Sequence, residues 1–398
     1  MLTNLSRSIL TNRLLMLAVL ALLPLASAAQ TPDPDSPAGQ LRAIATPLGS
    51  AQGAAAISAL VNLEVSTALL GTSTGGFTYS FDPQLRVERR SASSFGPAFS
   101  ERVLTTGRGK VSAGVNLLMT GYDSFNDQNL TDGEFRPGRN IQGLPISYSS
   151  LELDLSSKTV VGFAHMGVTD DFDLGFAVPW ISVSMEAEGG FFTAQDDQLA
   201  AFDIPDITSS GIGDVAVFGK YRFLRREGGG AAAGFELRLP TGDRDSFRGL
   251  DVTRVLFTGI WSATAGRLSP HANFGYEFWS DQVNISEDET IFAKDLVKYA
   301  FGVEIEANPQ TTIVIDLVGR YLRHGGKVGY ETFPGPGGTS IDALIGLPEG
   351  VGQLSLAPGV KWNFYRSALL TVNLLTSLSN SGLRANFTPV FGIDWAFD

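Results

Sequence analysis

Long stretches of the chain alternate apolar residues with small or polar ones, position by position. The even-numbered positions from Phe172 to Trp180 are all apolar, for example, while the odd-numbered positions from Asp171 to Ala177 are acidic or small. Alternation of period two predicts β-strands that have one apolar and one polar face. Twelve such strands are predicted, at 110–122, 150–167, 171–186, 211–225, 230–241, 251–265, 268–280, 296–307, 310–323, 353–365, 367–379 and 385–397.

The links between these strands alternate in length. Links at 168–170, 266–267 and 308–309 are short, and the tenth and eleventh strands are separated only by Arg366. Short turns at one end and longer loops at the other are typical of outer-membrane barrels, and most of the strands exceed the ~9–11 tilted residues that cross a bilayer. The sequence therefore predicts an all-β fold, a transmembrane antiparallel β-barrel of about 12 strands at 110–398. The longer links are 123–149, 187–210, 242–250, 281–295, 324–352 and 380–384.

Aromatic residues lie on the apolar faces, many of them near strand ends. On a barrel they would form the two girdles that face the membrane interfaces. The alternative is a soluble sandwich, in which twelve long strands would share one very large core. The aromatic residues in question are Trp180, Trp261, Tyr276, Phe278, Tyr299, Tyr321, Trp362, Phe364, Trp395 and Phe397.

The N-terminus predicts export. Arg7 and Arg13 come before an apolar run that ends in Ala26-Ser27-Ala28, which is the pattern of a secretory signal peptide at 1–28. A membrane anchor is the alternative, but the run is shorter than the ~20 residues that a spanning helix needs.

Residues 29–109 do not follow the barrel pattern. The Pro- and Ser-rich stretch at 31–50 predicts a linker, and 53–70 predicts a short helix. We expect the part from residue 53 onward to fold into the lumen as a plug, because its aromatic residues would otherwise be left in water. A periplasmic extension, or two extra strands that bring the barrel to 14, are the alternatives. The plug candidates are Phe77, Tyr79, Phe81, Phe95 and Phe99.

The amino-acid composition limits the kinds of functional site that the chain can hold. The chain has no Cys, only three His and a formal net charge of −12. These counts argue against thiolate chemistry, metal sites and nucleic acid as a partner, so no metal, cofactor or nucleic acid is predicted. Neither His165 nor His271 has a Ser suitably placed for nucleophilic catalysis, so we expect the chain not to be an enzyme.

Charged residues on the polar faces are the candidate functional residues. Charges at membrane depth must face water or a partner. Because both signs occur, we expect them to pair across strands or to hold the plug, with pore lining as the second interpretation. They are Asp173, Asp214, Lys220, Arg222, Glu236, Arg238, Arg254, Glu277, Lys298, Glu304, Asp316, Arg320 and Lys361.

Five motifs point to a family: GGFTYSFDP at 75–83, SFGPAFSERVLTTGRGK at 94–110, GVTDDFDLGFAVPW at 167–180, GIGDVAVFGKYRF at 211–223 and ELRLPTGD at 236–243. Through them the chain resembles the bacterial outer-membrane family named for the meta-pathway of phenol degradation, which is distantly similar to long-chain fatty-acid and aromatic-hydrocarbon transporters. The resemblance implies passive uptake of small hydrophobic or aromatic solutes. A structural barrel without a conducting path, or a lipid-modifying enzyme, are the alternatives.

An outer-membrane barrel also implies partners. We expect outer-membrane lipid and lipopolysaccharide around the barrel, the barrel-assembly machinery during insertion, and a small hydrophobic solute in the lumen. The chain ends in Phe397-Asp398, whereas such barrels commonly end in an aromatic residue, so the C-terminal assembly signal departs slightly from the usual pattern.

Overall fold

The computed structural model describes residues 32–67, 76–82, 87–143, 146–226, 228–286, 289–334 and 336–397. The predicted signal peptide at 1–28 lies outside these residues and stays a prediction. In chain order, the long strands are β3 (Val111–Tyr122), β7 (Tyr148–Gly167), β8 (Phe172–Phe192), β9 (Gln198–Ile212), β10 (Ala216–Arg226), β11 (Gly229–Arg238), β12 (Arg254–Ala263), β13 (Leu268–Trp279), β16 (Leu296–Asn308), β17 (Thr311–Leu322), β20 (Val351–Tyr365), β21 (Ala368–Ser377) and β23 (Phe387–Phe397).

Shorter strands lie in the N-terminal segment and in the loops. They are β1 (Tyr79–Asp82), β2 (Val87–Arg90), β4 (Ser124–Phe125), β5 (Gln128–Asn129), β6 (Gly138–Gln142), β14 (Val283–Asn284), β15 (Phe292–Ala293), β18 (Lys327–Pro334), β19 (Ser340–Leu347) and β22 (Leu383–Arg384). Strands β1 and β2 pair with each other in a separate sheet, so they do not add two strands to the wall.

Among the described residues, twelve long strands form a closed antiparallel ring. Every long strand except β9 pairs with the next one along the chain, β8 pairs with β10, and β23 pairs with β3 to close the ring. Val111 and Phe397 are paired, so the barrel begins and ends at the same end. That end also holds the short connections and is called the turn end below; the opposite end is the loop end. The predicted 12-strand barrel is confirmed.

Strand β8 is longer than the ring requires. Its first residues pair with β10, and from Trp180 to Phe192 it pairs with β9 instead. Strands β7, β8 and β9 therefore continue past the ring at the loop end. The prediction of a loop at 187–210 is wrong. Within that range the extension carries Glu188, Asp203 and Asp206 on its exposed face, and this acidic face made it resemble a solvated link.

The outer face of the ring is apolar. Large side chains such as Phe274 and Phe223 are 64% and 61% exposed. Eight of the ten aromatic residues predicted for the girdles are exposed, and Tyr276 and Tyr299 are half-buried. A closed barrel satisfies every wall strand's backbone, and an apolar belt of this kind needs hydrocarbon around it. The protein is an outer-membrane β-barrel.

Two helices come before the barrel. Helix α1 (Pro37–Leu48) begins at the N-cap Ser36, whose side chain accepts a hydrogen bond from Gly39 N. Helix α2 (Ala51–Ser66) begins in the same way at Ser50, which accepts from Gly53 N. None of the described helices is long and apolar enough to span a bilayer.

The sequence predicts a linker at 31–50, and the structure shows this to be wrong over α1. Ser36 and Pro37, which contributed to the linker-like composition, are the N-cap and first residue of the helix. The helix predicted within 53–70 is confirmed as α2.

The helices pack inside the loop end of the barrel. Leu41, Leu48 and Ile57 are almost fully buried and belong to one cluster with inward-facing residues of β7 and β8, including Leu153 and Val183. Each such side chain contributes about 1.5–3 kcal/mol when removed from water. The N-terminal segment is therefore plug-like, as predicted, although its helices sit at the loop end and not at the turn end where the segment joins β3.

Candidate functional site

A stretch without regular secondary structure crosses the lumen near the turn end. It comprises residues 95–106 and is called the crossing segment below. Most of it is buried, with Phe95 and Val103 at 0% exposure. Side chains of the barrel wall supply the hydrogen bonds that its backbone would otherwise lack. Most of the motif at 94–110 thus lies within the barrel and across its path.

Two wall carboxylates hold the first half of the crossing segment. Asp316 accepts hydrogen bonds from Ala98 N and Phe99 N, both at 2.9 Å. Glu304 accepts one from Gly96 N at 2.9 Å. Gly96 has φ of +81°, a conformation that favours glycine. These two carboxylates therefore accept hydrogen bonds from backbone amides of the plug.

Two lysines hold carbonyl groups of the same segment. Lys361 Nζ donates to Pro97 O at 2.6 Å. Lys220 Nζ donates to Arg102 O at 3.0 Å and to Leu104 O at 2.8 Å. Both lysines are buried, so these bonds compensate for part of the cost of removing an ammonium group from water.

Neutral wall residues complete the attachment, and sequence reasoning missed them. Asn273 Oδ1 accepts from Glu101 N at 2.6 Å, and its Nδ2 donates to Glu101 O at 2.9 Å. Ser262 Oγ accepts from Val103 N, and Thr312 Oγ1 accepts from Phe95 N, both at 3.1 Å. Their inward position on the period-two pattern was the available signal, but a neutral side chain does not stand out on a polar face as a charged one does.

At the end of the crossing segment, the Asp173 carboxylate accepts a hydrogen bond from Thr106 N at 3.0 Å. Arg222 lies at the rim of the turn end, where Nε donates to Asp171 Oδ1 at 3.0 Å and Nη2 donates to Asp170 O at 2.7 Å. Arg222 thus orders a turn and does not touch the crossing segment through these bonds.

A second attachment point lies in the lumen on the loop-end side of the crossing segment, where Arg320 holds the C-terminal end of α2. Its guanidinium donates to the Glu64 carboxylate, to Thr67 Oγ1 and, at 2.6 Å, to Gln353 Oε1. Gln353 also donates to Glu64 at 3.0 Å. A cation near a helix C-terminus is favourable because the exposed carbonyls carry partial negative charge.

The remaining predicted charges form a paired group on one side of the lumen. Arg254, which is 0% exposed, lies 3.0 Å from Asp214 and 3.7 Å from Glu277. Glu277 also pairs with Lys298 at 2.5 Å. Arg238 and Glu236 pair at 2.5 Å. Opposite charges on adjacent inward positions therefore neutralise one another.

Between the two attachment points lies a cavity of about 230 Å³, called the chamber below. Glu64 and Thr67 of the α2 end line one side of it, and Phe99 and Glu101 of the crossing segment line the other. Apolar wall residues such as Leu118 also face it. The chamber is therefore bounded along the barrel by two parts of the N-terminal segment.

The predicted plug aromatics lie in two places. Phe77 and Phe95 pack edge to face, with ring centroids 5.5 Å apart, and form a cluster with Leu369 to which Tyr79 is joined. Phe99 packs against a separate wall cluster and lines the chamber. The side chain of Phe81 lies outside the part of the chain that the structure describes.

His271 faces the lumen and not the lipid. Its Nε2 lies 2.7 Å from Asp316 Oδ1, and its Nδ1 lies 3.4 Å from the carbonyl oxygen of Ser269. Ser269 Oγ is instead 3.2 Å from Thr264 Oγ1. The histidine thus contacts a carboxylate that holds the crossing segment, and not a serine hydroxyl.

No curated protein matches this chain in sequence. Solved structures similar to it include an outer-membrane channel from Pseudomonas putida F1, with 12% identity, coverage of 74% of this chain and 97% of that one, and a TM-score of 0.49. The toluene transporter TbuX of Ralstonia pickettii has 13% identity, coverage of 73% of this chain and 90% of that one, and a TM-score of 0.36. A FadL homologue of Pseudomonas aeruginosa has 13% identity, coverage of 84% of this chain and 98% of that one, and a TM-score of 0.34. Residues 150–331 match the model of the family described as "Putative MetA-pathway of phenol degradation", which confirms the family resemblance predicted from the motifs.

Proposed function

We propose that this protein is an outer-membrane channel for the passive uptake of small hydrophobic or aromatic compounds. The observation that carries the proposal is the chamber of about 230 Å³ inside the barrel. It is partly apolar, and its size suits one small solute rather than a column of water. A non-enzymatic role fits the same picture, because the polar groups of the lumen bind the plug and one another.

Passage requires the plug to move. On the turn side the crossing segment blocks the chamber, and on the loop side α2 does so. Both are attached by hydrogen bonds and ion pairs, and these can be exchanged without unfolding the wall. A solute would enter from the loop end, occupy the chamber and leave past the crossing segment while water and ions are held back.

Adjacent leucines on β21 provide a matched test. Leu375 lines the chamber, whereas Leu374 is 39% exposed on the outer face. Leu375→Trp should fill part of the chamber, and Leu374→Trp should only change a lipid-facing side chain. The assay is the initial uptake rate of a radiolabelled one-ring aromatic hydrocarbon by Gram-negative cells that express each variant.

We expect uptake above the empty-vector rate for the unmodified chain and for Leu374→Trp, and a loss of at least about half of that increment for Leu375→Trp. Heat-modifiable gel migration would verify that all three barrels assemble. Equal uptake by the vector control and by cells with assembled protein would support a structural barrel instead.

A further inference from the structure

The charges that line the chamber are compensated, with one exception. A closely spaced ion pair attracts a third charge much less than a lone ion does, because the fields of its two opposite charges largely cancel at distances greater than their separation. Ion pairs of this kind involve six of the seven charged residues of the lining: Arg320 with Glu64, Arg238 with Glu236, Lys298 with Glu277, and Glu101 with Lys220.

Arg384 is the exception. Its Nε donates to Ser124 Oγ at 2.7 Å, and its Nη1 donates to Asn380 Oδ1 at 2.7 Å and Ser379 O at 3.1 Å. All three acceptors are neutral. Among the described residues, no carboxylate lies within ion-pair distance of Arg384, and its Nη2 makes no hydrogen bond. In a chain of net charge −12, the chamber thus holds one fixed and uncompensated cation.

The surroundings of Arg384 combine this charge with apolar surface. Leu383 precedes it in the chain, and Leu118 and Leu375 line the same chamber. The three neutral acceptors fix the guanidinium before any ligand arrives, which lowers the entropic cost of binding. Roughly 150 Å³ of apolar cavity holds one benzene, so a chamber of about 230 Å³ has room for one ring and a small substituent.

We propose that the chamber binds small organic acids, whose carboxylate pairs with Arg384 while their apolar body packs against the leucine side chains. Guanidinium and carboxylate groups form charge-assisted bonds that are shorter and stronger than neutral ones. This inference rests on the proposed function and specifies its solute class, because it selects amphiphilic anions over neutral hydrocarbons.

The proposal is tested by isothermal titration calorimetry of the full chain in detergent micelles. The affinities of three compounds are compared: benzoate, benzamide and acetate. Benzoate has both the ring and the charge, benzamide has the ring alone, and acetate has the charge alone. We expect benzoate to bind at least about tenfold more tightly than benzamide, the factor that one charge-assisted hydrogen bond typically supplies. We expect a similar factor over acetate, because acetate lacks the ring that packs against the leucine side chains. Equal binding of benzoate and benzamide would overturn the role of the charge, and equal binding of benzoate and acetate would indicate an adventitious anion only.

Variants of Arg384 assign the effect to this residue. Arg384→Gln should weaken benzoate binding about tenfold and leave benzamide binding unchanged, and Arg384→Lys should restore part of the benzoate affinity. Arg323→Gln is the matched control, because Arg323 lies among the loops and does not line the chamber. Unchanged benzoate binding by an assembled Arg384→Gln barrel would refute the proposal.

Uptake separates this inference from the function on which it rests. Labelled benzoate is offered to cells that express the unmodified chain or Arg384→Gln. If benzoate binds through Arg384 but no aromatic solute enters the cells, the proposed function fails and the binding site stands. If uptake of aromatic solutes occurs and does not depend on Arg384, the function stands and the inference fails.

Discussion

At the residue scale, the partner of each buried charge decides its role. The polar faces predicted which side chains point inward, and the structure places Asp316, Glu304 and Lys361 in the lumen. Their partners include backbone groups of the crossing segment, and a backbone group has no sequence signature. The period-two pattern therefore predicts the direction of these side chains, whereas only the structure distinguishes pore lining from plug attachment.

Asp316 is the wall residue whose loss should most loosen the crossing segment. Asp316→Ala removes the acceptor of Ala98 N and Phe99 N, and each buried donor left unsatisfied costs about 1–3 kcal/mol. We expect a higher open probability in planar bilayers, by at least about tenfold. Asp316→Asn keeps one acceptor oxygen and should lie between Asp316→Ala and the unmodified chain. An identical open probability for all three assembled barrels would contradict an anchoring role.

At the element scale, α2 depends on a contact that its own sequence does not reveal. Its apolar residues and its N-cap indicate a helix, but the pairing of Glu64 with Arg320 joins positions 256 residues apart. The same limit explains β9, whose partner strand β8 and exposed acidic face could not be separated from a loop by composition. Local pattern predicts elements well and their distant partners poorly.

Labelling of a single cysteine tests whether Arg320 holds the end of α2. The chain contains no Cys, so Ser66→Cys introduces a unique thiol at a position that is 7% exposed. Arg320→Met in that background should raise the maleimide labelling rate at least about tenfold, because an opening made easier by ~1.4 kcal/mol is ten times more populated. Arg323→Met, which removes an arginine among the loops, should leave the rate unchanged. Equal rates in both variants would show that α2 is held by its apolar packing alone.

At the scale of the whole molecule, the barrel was predictable and the path through it was not. Period-two alternation and the short turns define twelve wall strands because lipid outside and a polar lumen inside impose that pattern on every strand. The plug obeys no such repeat. Its helices, its crossing segment and the chamber between them result from packing against the wall, which only the folded molecule displays.

The central claim is that solute passes only when the crossing segment leaves its place. Val103 N donates to Ser262 Oγ at 3.1 Å, so these two neighbouring residues are the pair chosen for Val103→Cys with Ser262→Cys. A disulfide between them, verified by loss of free thiol, would tie the segment to β12. The most direct measurement is uptake of the labelled aromatic solute by cells that express this double variant, first oxidised and then reduced. We predict uptake near the empty-vector rate in the oxidised state and recovery on reduction, with each single-cysteine variant insensitive to both treatments. Undiminished uptake by a fully cross-linked barrel would contradict the account.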